Sequence, residues 1–421
     1  MVNSAESSEN VITEVPVKKE LKACIFFCFL SFISGAVGAI YIPILSLFLK
    51  ERLEADWWQI GLYYALTAFI GFTVTQYLAK LSDYKFSRRA LVHFSVLCGA
   101  VGCLFYAYSS SYWLVSLLGV SLFCISSVAN AQIFASSKEY ALKKHINSVE
   151  FSAYMRISIS SAWVVTPPIG FFIYTATGQY QEVFLTMLGL YLIFAFFCWK
   201  WLPNTNEDTK KQNEHMVKNK VSMFAILKDR SVFLLFVACT ILWGCNNLYV
   251  IGMPIYIVKE VSRGQFDSLP GVLMSITAFL EIPAMFIATR LARKLSIKTL
   301  QLLCVVFGVL FYIGFFIAVH AYDASEIANH TYLFKIFQVL NAIFIGIFGC
   351  IGMVYFQELS PKYPGQATTL FFNTMNTGVV TAGVIAAFID KVYNGSYEYV
   401  FTYCGALALI ALILILFVRK V

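Results

Sequence analysis

Long apolar runs recur along this chain, separated by short joints that carry charge, glycine, proline or serine. A helix of about 20 apolar residues crosses the hydrocarbon core of a bilayer, whereas a barrel strand needs only about 9–11. Backbone groups in lipid must be satisfied internally, so runs of this length are helices. Twelve are predicted, near 21–49, 57–80, 88–108, 111–136, 149–175, 181–202, 231–258, 267–290, 298–320, 330–357, 363–389 and 397–418. Composition agrees, since only 13% of the 421 residues are charged and 59% belong to the set AVILMFWYC. A soluble domain carries about 25% charged residues. This excludes a soluble enzyme, a nucleic-acid module and a disordered scaffold, and the expected class is all-α integral membrane.

Residues 1–20 are polar and lack the basic-then-apolar order of a cleaved signal peptide, so a cytoplasmic tail is expected there. One long polar segment, 203–230, divides the rest into 21–202 and 231–421, each with six predicted helices. Placing the N-terminus in the cytoplasm puts 24 of the 31 Lys and Arg on that side and five on the other, with Arg156 and Lys335 inside spans. Positive charge accumulates in cytoplasmic loops, so a multi-pass protein of the cytoplasmic membrane is expected, with both termini inside. The 11 Cys lie in or beside apolar runs without a CxxC pair, which indicates neither a metal site nor a disulfide framework. No cofactor is expected, and GxxxxGK[ST], the phosphate loop of ATP-driven machines, is absent.

The two parts echo each other. Span 1 ends Tyr41-Ile42-Pro43-Ile44 with Lys50-Glu51 following, and span 7 ends Gly252-Met253-Pro254-Ile255 with Lys259-Glu260 following. The basic joint after span 2 (Lys85, Arg88, Arg89) returns after span 8 as Arg290, Arg293, Lys294 and Lys298. Two six-helix halves built as a parallel repeat are the layout of major facilitator transporters.

Charge inside a bilayer is costly, about 2.5–3.5 kcal/mol at a helix centre on insertion scales, and marks function by default. Glu281 is the one acid well inside a span, nine residues before Arg290 and therefore near the midplane. It can bind sugar hydroxyls when ionised, exchange a proton, or serve as a structural carboxyl. Arg156 lies in span 5, with Ser160 and Trp163 continuing its helical face; its guanidinium can meet a ligand or lock span 5 to a neighbour. Span 7 carries Trp243, Asn246 and Asn247, span 4 Asn130 and Gln132, span 10 Gln338 and Asn341, and span 11 Asn373 and Asn376. Amides supply donors and acceptors, and an indole offers a face for the C–H side of a sugar ring. Such a set suits a neutral polyhydroxy ligand, although membrane amides also bond helix to helix. Asp83, Arg88 and Arg89 in the second joint form a candidate charge clamp, with Phe86 where the major facilitator loop signature has Gly.

Several stretches together resemble the bacterial sugar efflux transporters of the major facilitator superfamily. They are Leu242-Trp243-Gly244-Cys245-Asn246-Asn247, then Leu280-Glu281-Ile282-Pro283, then Gly365-Gln366-Ala367-Thr368-Thr369 and Asn373-Thr374 within a run from Asn341 to Asn376. In the first half, Ala129-Asn130-Ala131-Gln132, Arg156, Ala162-Trp163-Val164 and Pro167-Pro168 also fit. Span 5 is similar to the Gly-Pro signature of antiporters, with Thr166 in place of the Gly. The resemblance implies a monomer in lipid that exports small sugars (lactose, glucose and thiogalactosides) in exchange for protons, with Glu281 coupling. A drug/proton antiporter of the same fold is the alternative. An intramembrane enzyme is disfavoured, because the five His scatter at span ends and loops.

Overall fold

A computed structural model describes residues 20–84, 87–145, 148–202, 226–262, 268–322, 326, 328–393 and 398–420. The N-terminal tail up to residue 19 and most of the expected linker, 203–225, lie outside the described residues. Among the described residues are twelve long helices and no strand. Helix α1 spans Leu21–Leu47 and runs on through a π-helical turn, Phe48–Arg52. Helices α2 (Trp57–Tyr84) and α3 (Arg88–Tyr108) follow. Helix α4 enters through Tyr112–Leu114 and a π-helical turn, Val115–Gly119, and continues as Val120–Lys143. Then come α5 (Ser148–Thr177), α6 (Tyr180–Trp201) and α7 (Arg230–Tyr256), which ends in the π-helical turn Ile257–Val261. The last five are α8 (Leu269–Leu291), α9 (Ile297–Ala321), α10 (Thr331–Leu359), α11 (Pro364–Tyr393) and α12 (Tyr399–Leu416).

Eleven of the twelve are long and apolar enough to cross a membrane. The exception is α2, whose 28 residues include Gln59, Thr67, Thr73, Thr75, Gln76 and Lys80. Two of its hydroxyls are satisfied within the helix, Thr67 donating to Tyr63 O (2.8 Å) and Thr73 to Phe69 O (2.9 Å). Helix α4 runs to Lys143, past the expected end at 136, because its polar last turns are held from outside the apolar run. There Glu139 pairs with Arg88, and Tyr140 donates to Glu20 (3.0 Å).

Polar contacts define two ends of the bundle. At the end where α1 starts and α12 finishes, Lys144 pairs with Glu20 (3.6 Å), Lys298 Nζ donates to Leu416 O (2.7 Å), and Arg419 N donates to Ser231 Oγ (3.1 Å). Three helices start at this end under side-chain caps. Ser87 accepts from Ala90 N, Asp229 from Ser231 N and Val232 N, and Ser296 from Thr299 N, each cap contributing about 1 kcal/mol. At the far end, Tyr180 donates to Glu51 (2.7 Å), joining the start of α6 to the end of α1.

Packing within the first six helices sets α1 against α5 and α3 against both α4 and α6; within the last six, α7 meets α11 and α12, and α10 meets α8 and α9. Helices cross between the two sets at α2 with α11, α5 with α8, and α1 with α7. Apolar contact gives no drive in lipid, so such crossings depend on close backbone approach at small residues. A Cβ on Gly61 would fall 2.5 Å from Gly383 O, and one on Gly271 would fall 3.0 Å from Pro167 O. Gly61 and Gly271 open α2 and α8 near the far end, so both crossings are closed there.

Candidate functional site

Between these crossings α1, α2, α4, α6 and α11 enclose a cavity of about 570 Å³. Its lining combines hydroxyls (Ser34, Thr67, Ser127), amides (Asn130, Asn373, Asn376) and aromatic faces such as Phe123 and Tyr191, and no lining residue is charged. Asn130 Oδ1 is buried and has no hydrogen-bond partner in the structure, which leaves its acceptor capacity for a ligand. Ser126 and Tyr191 are paired hydroxyl to hydroxyl at 2.7 Å, fixing the α4–α6 wall. A second cavity of about 410 Å³ shares Ala68, Phe72, Asn373 and Asn376 with the first and is otherwise mostly apolar.

Of the residues singled out in the sequence, Asn130, Asn373 and Asn376 line this cavity. Gln132 does not: two residues along a helix is a turn of about 200°, and its side chain is buried on the other face, accepting from Arg88 Nη1 (3.1 Å). Arg88 Nε also meets Glu139 Oε1 at 2.7 Å, and Arg89 donates to Trp199 O. These two arginines therefore bracket α3 to α4 and α6, within the first six helices. Asp83 stands in the last turn of α2, and its side chain lies outside the described residues.

A second group gathers between α5, α8 and α10. Glu281 is half-buried on α8, beside Gly346 of α10, where a Cβ would stand 3.3 Å from Glu281 Cγ. One turn further along α10, Cys350 lies within electrostatic reach of both Glu281 and Arg156. Arg156 itself is exposed, and Trp163 is half-buried two turns on.

The α7 and α10 residues serve packing in this state. Trp243 lies tilted against Phe348 (5.1 Å between centroids) and edge-on to Phe371 (6.4 Å), its Nε1 buried without a partner. Asn247 Nδ2 donates to Trp243 O of its own helix (2.8 Å), while Asn246 is half-buried beside it. Asn341 Nδ2 donates to Thr277 Oγ1 (3.4 Å) and Gln338 Oε1 (3.4 Å), and Gln338 Oε1 also accepts from Thr277 (2.7 Å) and Tyr249 (3.3 Å).

Sequence reasoning passed over the cavity's hydroxyls and tyrosines. Tyr41 lines the cavity and bonds to Tyr63 and Tyr106 on α2 and α3. Tyr41 stands in the motif before Pro43, which was the available signal, but its partners lie 22 and 65 residues away and meet it only in the folded bundle.

Residues 27–325 match the family model described as Major Facilitator Superfamily. The chain is 35% identical to Sugar efflux transporter A of Dickeya chrysanthemi, covering 87% of this chain and 89% of that protein. It is 33% identical to Sugar efflux transporter C of Escherichia coli K12, covering 94% and 95%. In fold it is similar to a crystal structure of a nucleoside transporter, with a TM-score of 0.77 at 14% identity over 93% of this chain and 98% of that one. A peptide transporter bound to sulfate gives 0.73 at 13% identity over 98% and 97%. This chain's relatives over nearly the whole length are transporters and not enzymes, and the chain belongs to the major facilitator superfamily and, within it, to the sugar efflux transporters.

Proposed function

We propose that this chain exports small neutral sugars, of the lactose, glucose and thiogalactoside kind, across the cytoplasmic membrane by alternating access. The observation that carries the reading is the cavity, whose hydroxyls, amides and aromatic faces match a polyhydroxy ring and whose lining residues include no charge. The names of the relatives support sugar as the cargo.

Residues 21–202 and 231–421 form two six-helix halves joined by the linker at 203–230, as the packing within each set of six supports. Both termini face the cytoplasm, on the count of Lys and Arg. That orientation puts the closed far end outside and makes this the inward-facing state. Asn130 and Asn373 contact sugar in the cavity, and Arg156, Trp163, Trp243, Asn246, Asn247, Glu281 and Asn341 complete the site from the facing helices as the halves rock. Glu281 exchanges the proton that drives export. The working unit is a monomer in lipid.

Counterflow of radiolabelled lactose and glucose into proteoliposomes tests the reading, with a hydrophobic cation as the rival cargo. Sugar counterflow is the expected result. Counterflow of the cation alone would reassign the cavity to drug export.

A further inference from the structure

Tyr41, Tyr63 and Tyr106 come from three helices and bring their hydroxyls together. Tyr41 lies 2.5 Å from Tyr63 and 3.1 Å from Tyr106, and Tyr63 and Tyr106 bond each other. Tyr63 and Tyr106 are 0% and 1% exposed. Tyr41 alone of the three lines the cavity, its ring stacked on Phe123 at 4.5 Å and 29°. The Tyr106 ring is seated against Gly119, where a Cβ would fall 2.8 Å from its edge.

The hydrogen count of this triangle is restrictive. Each phenol has one O–H to give and lone pairs to receive. A closed ring of three bonds uses all three hydrogens. Any other arrangement leaves one of the three oxygen–oxygen pairs, all of them within 3.1 Å, facing lone pair to lone pair with no hydrogen between. The ring also polarises its members in sequence, which strengthens the lone pair left over. Each of the three oxygens keeps one, and Tyr41 alone of the three lines the cavity.

We infer that Tyr41 is a specificity-determining residue whose hydroxyl oxygen is held by Tyr63 and Tyr106 as an acceptor only, so that it selects one sugar hydroxyl by that hydroxyl's hydrogen. Tyr63 and Tyr106 are positioning residues, acting on the ligand through Tyr41. The inference rests on the cavity being the sugar site.

The test is counterflow of radiolabelled glucose in proteoliposomes, competed by glucose and by its single-position deoxy and deoxyfluoro analogues. A C–F group accepts weakly and cannot donate. In the parent protein one ring position should show both analogues competing about tenfold less well than glucose, the size of one net hydrogen bond. Tyr41→Phe should erase the difference at that position and leave the other positions unchanged. Tyr106→Phe keeps every ring in place and opens the triangle. Tyr63, buried and otherwise unpartnered, then donates to Tyr41, whose own hydrogen is released toward the cavity. The deoxyfluoro analogue should recover while the deoxy analogue does not. If Tyr41→Phe keeps the parent profile, or Tyr106→Phe moves both analogues together, the inference is overturned. If Tyr41→Phe fails to fold, the Tyr106→Phe profile decides alone. A parent protein whose counterflow glucose does not support overturns the sugar reading instead, before any variant is compared.

Discussion

Asn130 and Gln132 stand two residues apart on α4, and the helical turn between them separates two roles. Asn130 lines the cavity and carries a buried, unpartnered oxygen, whereas Gln132 is occupied by Arg88. Asn130→Leu should therefore lower sugar counterflow at least tenfold with little change in the thermal unfolding midpoint. Arg88→Ala should do the opposite kind of damage, since it strands Glu139 and removes charged hydrogen bonds worth about 1.5–3 kcal/mol. The measurement is the unfolding midpoint in detergent, which should fall for Arg88→Ala and hold for Asn130→Leu. Glu281→Gln retains shape and cannot titrate. It should keep counterflow and lose pH-driven accumulation, and a variant that still concentrates sugar uphill would remove Glu281 from coupling. Residue types were readable in advance, because amides and a mid-span carboxyl are rare enough in apolar runs to stand out. Which of them face one cavity was not, since that depends on rotations of α4, α7 and α10 that their patterns leave weakly specified. Trp243 shows the difficulty: an indole in a polar-flanked span reads as a sugar platform, and here it packs on Phe348 and Phe371.

At the scale of elements, the helices themselves were legible to within a few residues. Length and apolarity in lipid leave the backbone almost no alternative. The misjudged boundary, α4, is instructive because its last turns are polar and gain their helical state from Arg88 and Glu20 rather than from lipid. Pairing between helices was not legible, because Gly61 and Gly383 lie in unrelated-looking sequence yet touch backbone to backbone. A side chain at either position has a carbonyl in its way and cannot be absorbed by a rotamer change. Gly383→Val should part α2 from α11 at the far end. In a background without native cysteines, a cysteine at Asn376 should then react from outside with an impermeant thiol reagent, and should stay unreactive when Gly383 is present.

For the whole molecule, orientation is the first quantity to fix. A cysteine placed at Asn213, in the segment joining the two sets of six helices, should escape an impermeant label in intact cells and react in inverted vesicles. Labelling from outside would invert the assignment of the far end. The cavity then carries an electrical consequence. Its lining holds no fixed charge, and a neutral sugar adds none, so the loaded cavity passes through the membrane field without transferring charge. A potential of 100 mV performs about 2.3 kcal/mol of work on each elementary charge that crosses it, and in the cavity lining and its cargo it has nothing to grip. Voltage dependence belongs to the proton and to the charges of Glu281 and Arg156 that complete the proposed site. Clamping the potential with valinomycin and potassium should change net export more steeply than sugar-for-sugar exchange, in which the same charges cross outward and back.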